Sequence, residues 1–244
     1  MSSHDFDAVH GALDSGAHFG RLSGTPYYAD AVYERFSEDE RRRRLEATRE
    51  KMARLGLDGL IACGGPNHWS YGAGVFWLTN HREWHALSVY LYVPREGEPA
   101  LVYGMGGTHI EATRRAVAVR DVRPASAGQF GEVLAAVARE RGHAGGRIGI
   151  AVIDPRYGDY LPLNQYQRLA AELPDARLEL AGDFFHELLV IKSPEEQARV
   201  RRAGALCVAA LRPSGTRRGP ASLSTSSRPP PRRRFSPAAA SSIS

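Results

Sequence analysis

The densest group of side chains able to do chemistry is His81-Arg82-Glu83-Trp84-His85, two imidazoles four residues apart with a carboxylate and a guanidinium between them. Two histidines at that spacing hold zinc when both lie on one helix face and Glu directly follows the first. Here Arg82 takes that place, and a strand pattern starts at His85, so a metal site is set aside. Gly104-Met105-Gly106-Gly107 ahead of a helix resembles a phosphate-binding turn, but His109 stands where that fingerprint needs glycine. His109-Ile110-Glu111 has the His-x-Glu of a zinc deaminase without the paired cysteines that would complete the site. Asp154, Asp159 and Asp183 fall at loops or helix starts, where capping explains them. His186 is expected to be buried and hydrogen-bonded on an apolar helix, and His4, His10 and His18 match no compact ligand spacing. Cys63 and Cys207, both among apolar neighbours, are expected to be packing residues of a protein kept in a reducing compartment.

The elements that would position these groups are read from periodicity and punctuation. Ser37 and Glu40 form a capping box opening a helix that Gly56 ends, with Leu45, Met52 and Leu55 facing inward. Arg41 to Arg44 on that helix have Glu partners at helical spacing (Glu40 to Arg44, Arg42 to Glu46), so the charge reads as a solvated face rather than a nucleic-acid site. Asp58–Cys63 reads as a buried strand. Leu87, Val89, Leu91 and Val93 alternate with Ser88, Tyr90 and Tyr92 in a second strand, which Arg95–Glu98 turns back into a hairpin with Pro99–Gly104. Helix 108–117, a strand near Val119–Val122, helix Gln129–Arg141, strand 148–152, helix 161–173 and strand 177–180 follow. This alternation predicts an α/β fold of three layers, a mixed β-sheet flanked by helices. Ser193, Pro194 and Glu196 then open a last helix on which Ala203, Leu206, Cys207, Ala210 and Leu211 make an apolar stripe.

From Arg212 the composition changes to Arg, Pro, Ser and Ala, and residues 212–244 are expected to be a disordered tail. The formal charge of +5 resides there. The tail holds seven Arg and no acid, and the remaining residues carry 25 basic against 27 acidic groups. A nucleic-acid partner would rest on the tail alone and is not favoured. No apolar run approaches the roughly 20 residues that cross a bilayer, and the first residues are polar and acidic, so no membrane partner is expected and the cytoplasm is the default compartment.

Four stretches resemble the N-terminal domain of the pita-bread metallohydrolases, the family of Xaa-Pro aminopeptidase, prolidase and creatinase. Phe36 to Leu60 (FSEDERRRRLEATREKMARLGLDGL) is similar to the family's opening helix and strand entry, and Asn67 to Gly74 (NHWSYGAG) to its Asn-x-x-Tyr-x-x-Gly segment. Gly97 to Val102 (GEPALV) resembles its hairpin, and Leu188 to Ala203 (LLVIKSPEEQARVRRA) the linker helix that hands the chain to the catalytic domain. The resemblance implies a creatinase/aminopeptidase P-type N-terminal domain without catalytic residues. In the family's peptidases two divalent metals are held by two Asp, one His and two Glu of the C-terminal domain, where they activate a water for amide hydrolysis; creatinase works without metal. Asp, Glu and His are all lacking after Leu211, so no catalytic residue, metal ligand or cofactor is expected in this chain. The resemblance further implies that Arg82, with Phe76, Trp77, His81 and Trp84, lies in a loop that binds substrate in a neighbouring subunit's site, where Arg suits a carboxylate.

The expected organisation is a loosely ordered arm over 1–25, the domain over 26–192, a linker helix over 193–211 and the tail over 212–244. The expected function is that of a truncated or frameshifted family member, inactive alone, whose domain serves dimerisation and substrate access. The expected partner is a second copy or a catalytic domain. Alternatives are a subunit of a split metallopeptidase and a basic-tailed nucleic-acid-binding protein.

Overall fold

The structure, a computed structural model, describes residues 36–64, 73–81, 87–125, 127–152, 160–182 and 184–211. Strands β1 (Gly59–Gly64), β2 (Val89–Pro94), β3 (Ala100–Tyr103), β4 (Asp121–Pro124), β5 (Arg147–Ala151) and β6 (Arg177–Gly182) form one sheet in the order β4-β3-β2-β1-β5-β6. The helices are α1 (Glu38–Leu55), α2 (Ala73–Thr79), α3 (Thr108–Ala116), α4 (Phe130–Glu140), α5 (Leu163–Glu172), α6 (His186–Val190) and α7 (Pro194–Leu211). The tight connection between β2 and β3 makes them antiparallel, and β2 is antiparallel to β1 as well; every other neighbouring pair is parallel and joined through helices. The sheet is therefore mixed.

Alternation along the strands sorts the core into two layers. Leu60, Ala62, Val89, Leu91 and Val93 pack with Met52 of α1, Val75 and Trp77 of α2 and Ile110 of α3. Ile61, Cys63, Tyr90, Tyr92 and Ile148 pack on the opposite face with Leu134 and Val137 of α4 and Leu169 of α5. Every residue of β1 and β2 is buried, because helices cover both faces of the sheet's centre. Gly56 ends α1 in the left-handed conformation with φ 69°, the backbone state that glycine adopts without a Cβ penalty.

The chain divides into two compact units, residues 1–198 and 199–244. The first holds the sheet, α1 to α6 and the first turn of α7; the described part of the second is the remainder of α7, up to Leu211.

Several sequence expectations are corrected. His186 is exposed, because α6 is a five-residue helix that buries none of its side chains. Cys207 is an exposed free thiol, whereas Cys63 is buried in the sheet. Leu55 is exposed at the last position of α1. Arg44, read as part of a solvated face, is buried. The first strand runs one residue later than expected, and β4 begins at Asp121 rather than near Val119. The arm, the tail, Asn67 to Tyr71, Arg82 to His85, Asp154, Asp159 and Asp183 lie outside the described residues.

At one end of the sheet's central strands, the Tyr92 hydroxyl and His143 Nδ1 share a hydrogen bond of 2.8 Å. Burial pushes the His143 imidazole below its ordinary pKa; Arg95 and Arg141 push the same way, and Asp58 opposes them. The unfolded chain, with the histidine titrating at about 6.5, then binds more protons than the folded one just below that pH. Stability should be fully present above about pH 6.5 and fall as the pH drops through the window beneath it. Denaturant midpoints measured from pH 7.5 to 5 should show this loss, and His143→Gln should flatten it. An unchanged slope in the variant would remove His143 as its source.

Candidate functional site

The polar groups that the sequence places on the linker and on α1 meet at the root of α7. Ser193 and Glu196 form a complete capping box: Glu196 N donates to Ser193 Oγ at 3.1 Å, and Ser193 N donates to Glu196 Oε2 at 2.8 Å. The other oxygen of Glu196 accepts from Arg44 NH2 and from the Trp77 indole Nε1, each at 2.9 Å. One carboxylate thus caps its own helix and ties it to both α1 and α2. Its neighbour Glu195 receives the backbone N–H of Ser37 at 2.9 Å and the Ser37 hydroxyl at 2.6 Å. At the start of α1, Ser37 Oγ caps Glu40 N as expected, but the reciprocal half of the box is supplied by Glu195 instead of Glu40.

Glu40 is free for a different task. It accepts from Arg43 at 2.8 and 2.9 Å and from Arg44 Nε at 2.8 Å. The Arg43 hydrogen bonds, with help from Arg44 and against the cost of burial, hold its carboxyl at about 2, so it stays ionised through the neutral range. Arg44 is 3% exposed and directs each nitrogen of its fork at an acceptor: Nε at Glu40, NH2 at Glu196 and NH1 at the Trp77 carbonyl, 2.8 Å away. The Phe36 ring lies 3.7 Å from the guanidinium carbon and the Trp77 ring 5.2 Å away, so its faces are covered by aromatics. A buried cation with satisfied donors and two carboxylate partners fixes one geometry. A second tie lies beside it, where Lys51 donates to the Phe184 carbonyl at 2.7 Å and pairs with Glu187 of α6 at 2.9 Å.

Of the five residues implicated in substrate binding, three are described. Phe76 is half-buried on α2, and Trp77 is buried, with its indole given to Glu196 and its ring edge-on to Phe185 at 6.4 Å. His81 is buried against Tyr103, ring centres 4.9 Å apart, and its backbone N–H is held by Thr79 Oγ1 at 3.0 Å. Arg82 and Trp84 lie outside the described residues. Gly74, the glycine of the Tyr-x-x-Gly segment, faces the Phe185 ring so closely that a Cβ there would come within 2.6 Å of it. That contact lets α2 pack down onto the linker side of the domain.

The carboxylates at this junction are engaged as acceptors, and they hold the first turn of α7 to α1 and α2. Among the described residues no group of three or more His, Cys, Asp or Glu side chains is placed to hold a metal ion. No described helix is long and apolar enough to cross a membrane. Sequence reasoning found the Ser193–Glu196 box but missed Arg44, Glu195 and the Trp77–Glu196 bond. The signal for Arg44 was present as spacing: Glu40, Arg44, Thr48 and Met52 recur every four residues along the buried side of α1.

The fold and junction define a three-layer α/β domain that ends in a tethered exit helix. The chain belongs to the Creatinase/Prolidase N-terminal domain family, whose sequence profile matches residues 44–188. Among solved structures it is similar to dipeptidase PepE from Mycobacterium ulcerans, at 22% identity and a TM-score of 0.50, and to a prolidase from Thermococcus sibiricus, at 16% and 0.52. Each match covers 70% of this chain and 42% of the other. At these identities the likeness concerns the fold, and the chain spans less than half the length of these two structures. No curated protein matches the sequence.

Proposed function

We propose that this chain serves as the non-catalytic N-terminal domain of a Xaa-Pro aminopeptidase- or creatinase-like metallohydrolase, inactive by itself. Its task is to orient a catalytic partner domain and, as a homodimer, to help shape access to the substrate. The observation that carries this reading is the junction: Glu195 and Glu196 build the first turn of α7 into the domain, while Val200, Leu206 and Val208 further along present exposed apolar surface. Exposed apolar side chains along a helix suit one that continues against another folded body.

Phe76, Trp77 and His81 then anchor the segment from which Arg82 and Trp84 continue, and Arg82 is the group offered to a substrate carboxylate in the neighbouring subunit. Arg82 suits that role because its charge cannot be lost by deprotonation. The free thiol of Cys207, exposed on α7, supports a reducing, cytoplasm-like setting. The test is direct. Purified chain incubated with manganese, cobalt or zinc and then desalted should retain no stoichiometric metal and should release no proline from Xaa-Pro dipeptides. Tightly bound metal together with turnover would overturn the proposal.

A further inference from the structure

The two edges of the sheet are built differently. At one edge, β4 is four residues long and ends in Pro124, which has no N–H to offer. Arg123 of that strand is locked between Asp121, at 2.8 Å, and Glu140, and Arg141 reaches Asp121 at 2.9 Å. These are devices that discourage strand addition. At the other edge, β6 (RLELAG) is six residues long and contains neither Pro nor Lys, and among the described residues no element pairs its outer side. Leu180 is 82% exposed there, and Leu163 on the adjoining α5 is 71% exposed. Together with Tyr160, Tyr166 and Ile150 they line an apolar recess of about 250 Å³.

We infer that β6 is the surface through which two copies of this chain associate, by antiparallel pairing of one β6 with the other across a two-fold axis. The inference deepens the homodimer proposed above and rests on it. Within one chain Glu179 holds Arg147 NH2 at 2.8 Å and Arg177 Nε at 3.1 Å, and this row of alternating charge is self-complementary across a two-fold axis, which sets the register. Arg177 N donates inward to Gly146 O, so in the alternating ladder the peptide groups of Leu178 and Leu180 face outward. Pairing centred on Leu178 makes it a hydrogen-bonded pair with its own copy and sets Arg177 directly opposite Glu179 of the second copy, twice over. Leu178 and Leu180 then lie on the side of the sheet covered by α4 and α5, where Leu180 meets Ala176 of the second copy and the recess is closed. A register centred on Glu179 would keep Leu178 and Leu180 on the same face but set Glu179 opposite Glu179 of the copy, like charge against like, so it is charge that selects pairing centred on Leu178.

The experiment is sedimentation velocity on the full chain and three variants. Wild type should be dimeric. Leu180→Lys, at a position too exposed to disturb the core, should weaken the dimer at least about tenfold by placing a charge on the paired face. R177E and E179R should each be monomeric, because like charges then oppose one another, but an equimolar mixture should form a dimer in which both pairs are restored. Dimers that persist unchanged in all three variants would overturn the β6 assignment and leave the homodimer standing. A monomeric wild type would overturn both.

Discussion

Replacing Arg44 with alanine should lower the unfolding free energy by about 3–5 kcal/mol, the range expected when one partner of a buried ion pair is removed and the other stays behind. The guanidinium serves Glu40, Glu196 and the Trp77 carbonyl at once, and Arg44 and Glu40 are nearly closed to water. Truncation leaves Glu40 leaning on Arg43 alone and strips Glu196 of one of its two Oε1 donors. The natural comparison is Arg42, two residues away on the exposed side of α1 and paired only loosely with Asp39 at 3.4 Å. Arg42→Ala should change stability by no more than about 0.5 kcal/mol. Equilibrium unfolding in urea measures both, and equal costs for the two arginines would contradict the buried assignment.

Gly131→Val should cost about 3 kcal/mol or more, by overpacking where two backbones meet. A Cβ at Gly131 would fall 2.4 Å from the Gln165 carbonyl oxygen and 2.9 Å from Leu169 N, so α4 and α5 touch main chain to main chain there. The Gly131 N–H also donates to Gln165 Oε1 at 3.0 Å, so displacing α5 would break a buried hydrogen bond. Neither neighbour is a flexible side-chain end that could give way. Gly204 in α7 has open space where its Cβ would go, and Gly204→Ala should be neutral or stabilising by up to about 1 kcal/mol. The contrast between the two glycines, read as a shift in denaturant midpoint, separates close packing from helix propensity. A tolerated Gly131→Val would mean that the helices do not approach as described.

These two residues show where sequence reading stops. The strands were legible, because β2 carries apolar residues at every second position and its hairpin partner follows a short turn, but Phe76 and Trp77, expected in a loop, lie on the seven-residue helix α2, too short to show a helical period. The cap at Ser37 and the box at Ser193–Glu196 were legible because capping is local chemistry with a fixed spacing. The inner face of α1 was not, since Glu40, Arg44 and Thr48 are polar and a hydrophobic-periodicity argument assigns such residues to water. Arg44 among them finds its second carboxylate in Glu196, 152 residues away, and nothing local to α1 encodes that partner. Gly131 was invisible for a similar reason: the apolar pattern of α4 was read from its large residues, while the position that sets the helix separation is the one with no side chain. His186 and Cys207 were misplaced because an apolar neighbourhood in sequence was taken for burial, whereas α6 is short and Cys207 sits on the exposed length of α7.

The resemblance to pita-bread metallohydrolases drew on the same local signals, and its linker motif marks the residues that make the junction. Lys192-Ser193-Pro194-Glu195-Glu196 supplies the cap, the helix start, the carboxylate for Ser37 and the carboxylate for Arg44 and Trp77. On this account the motif fastens the first turn of α7 to α1 and α2.

A double-mutant cycle between Arg44 and Glu196 tests that account most directly. With Arg44→Ala, Glu196→Ala and the double variant unfolded under the same conditions, the two residues should show a coupling of about 1–3 kcal/mol, as contacting members of one charged network do. Costs that simply add, within about 0.3 kcal/mol, would mean that the exit helix is not held to the domain through this pair.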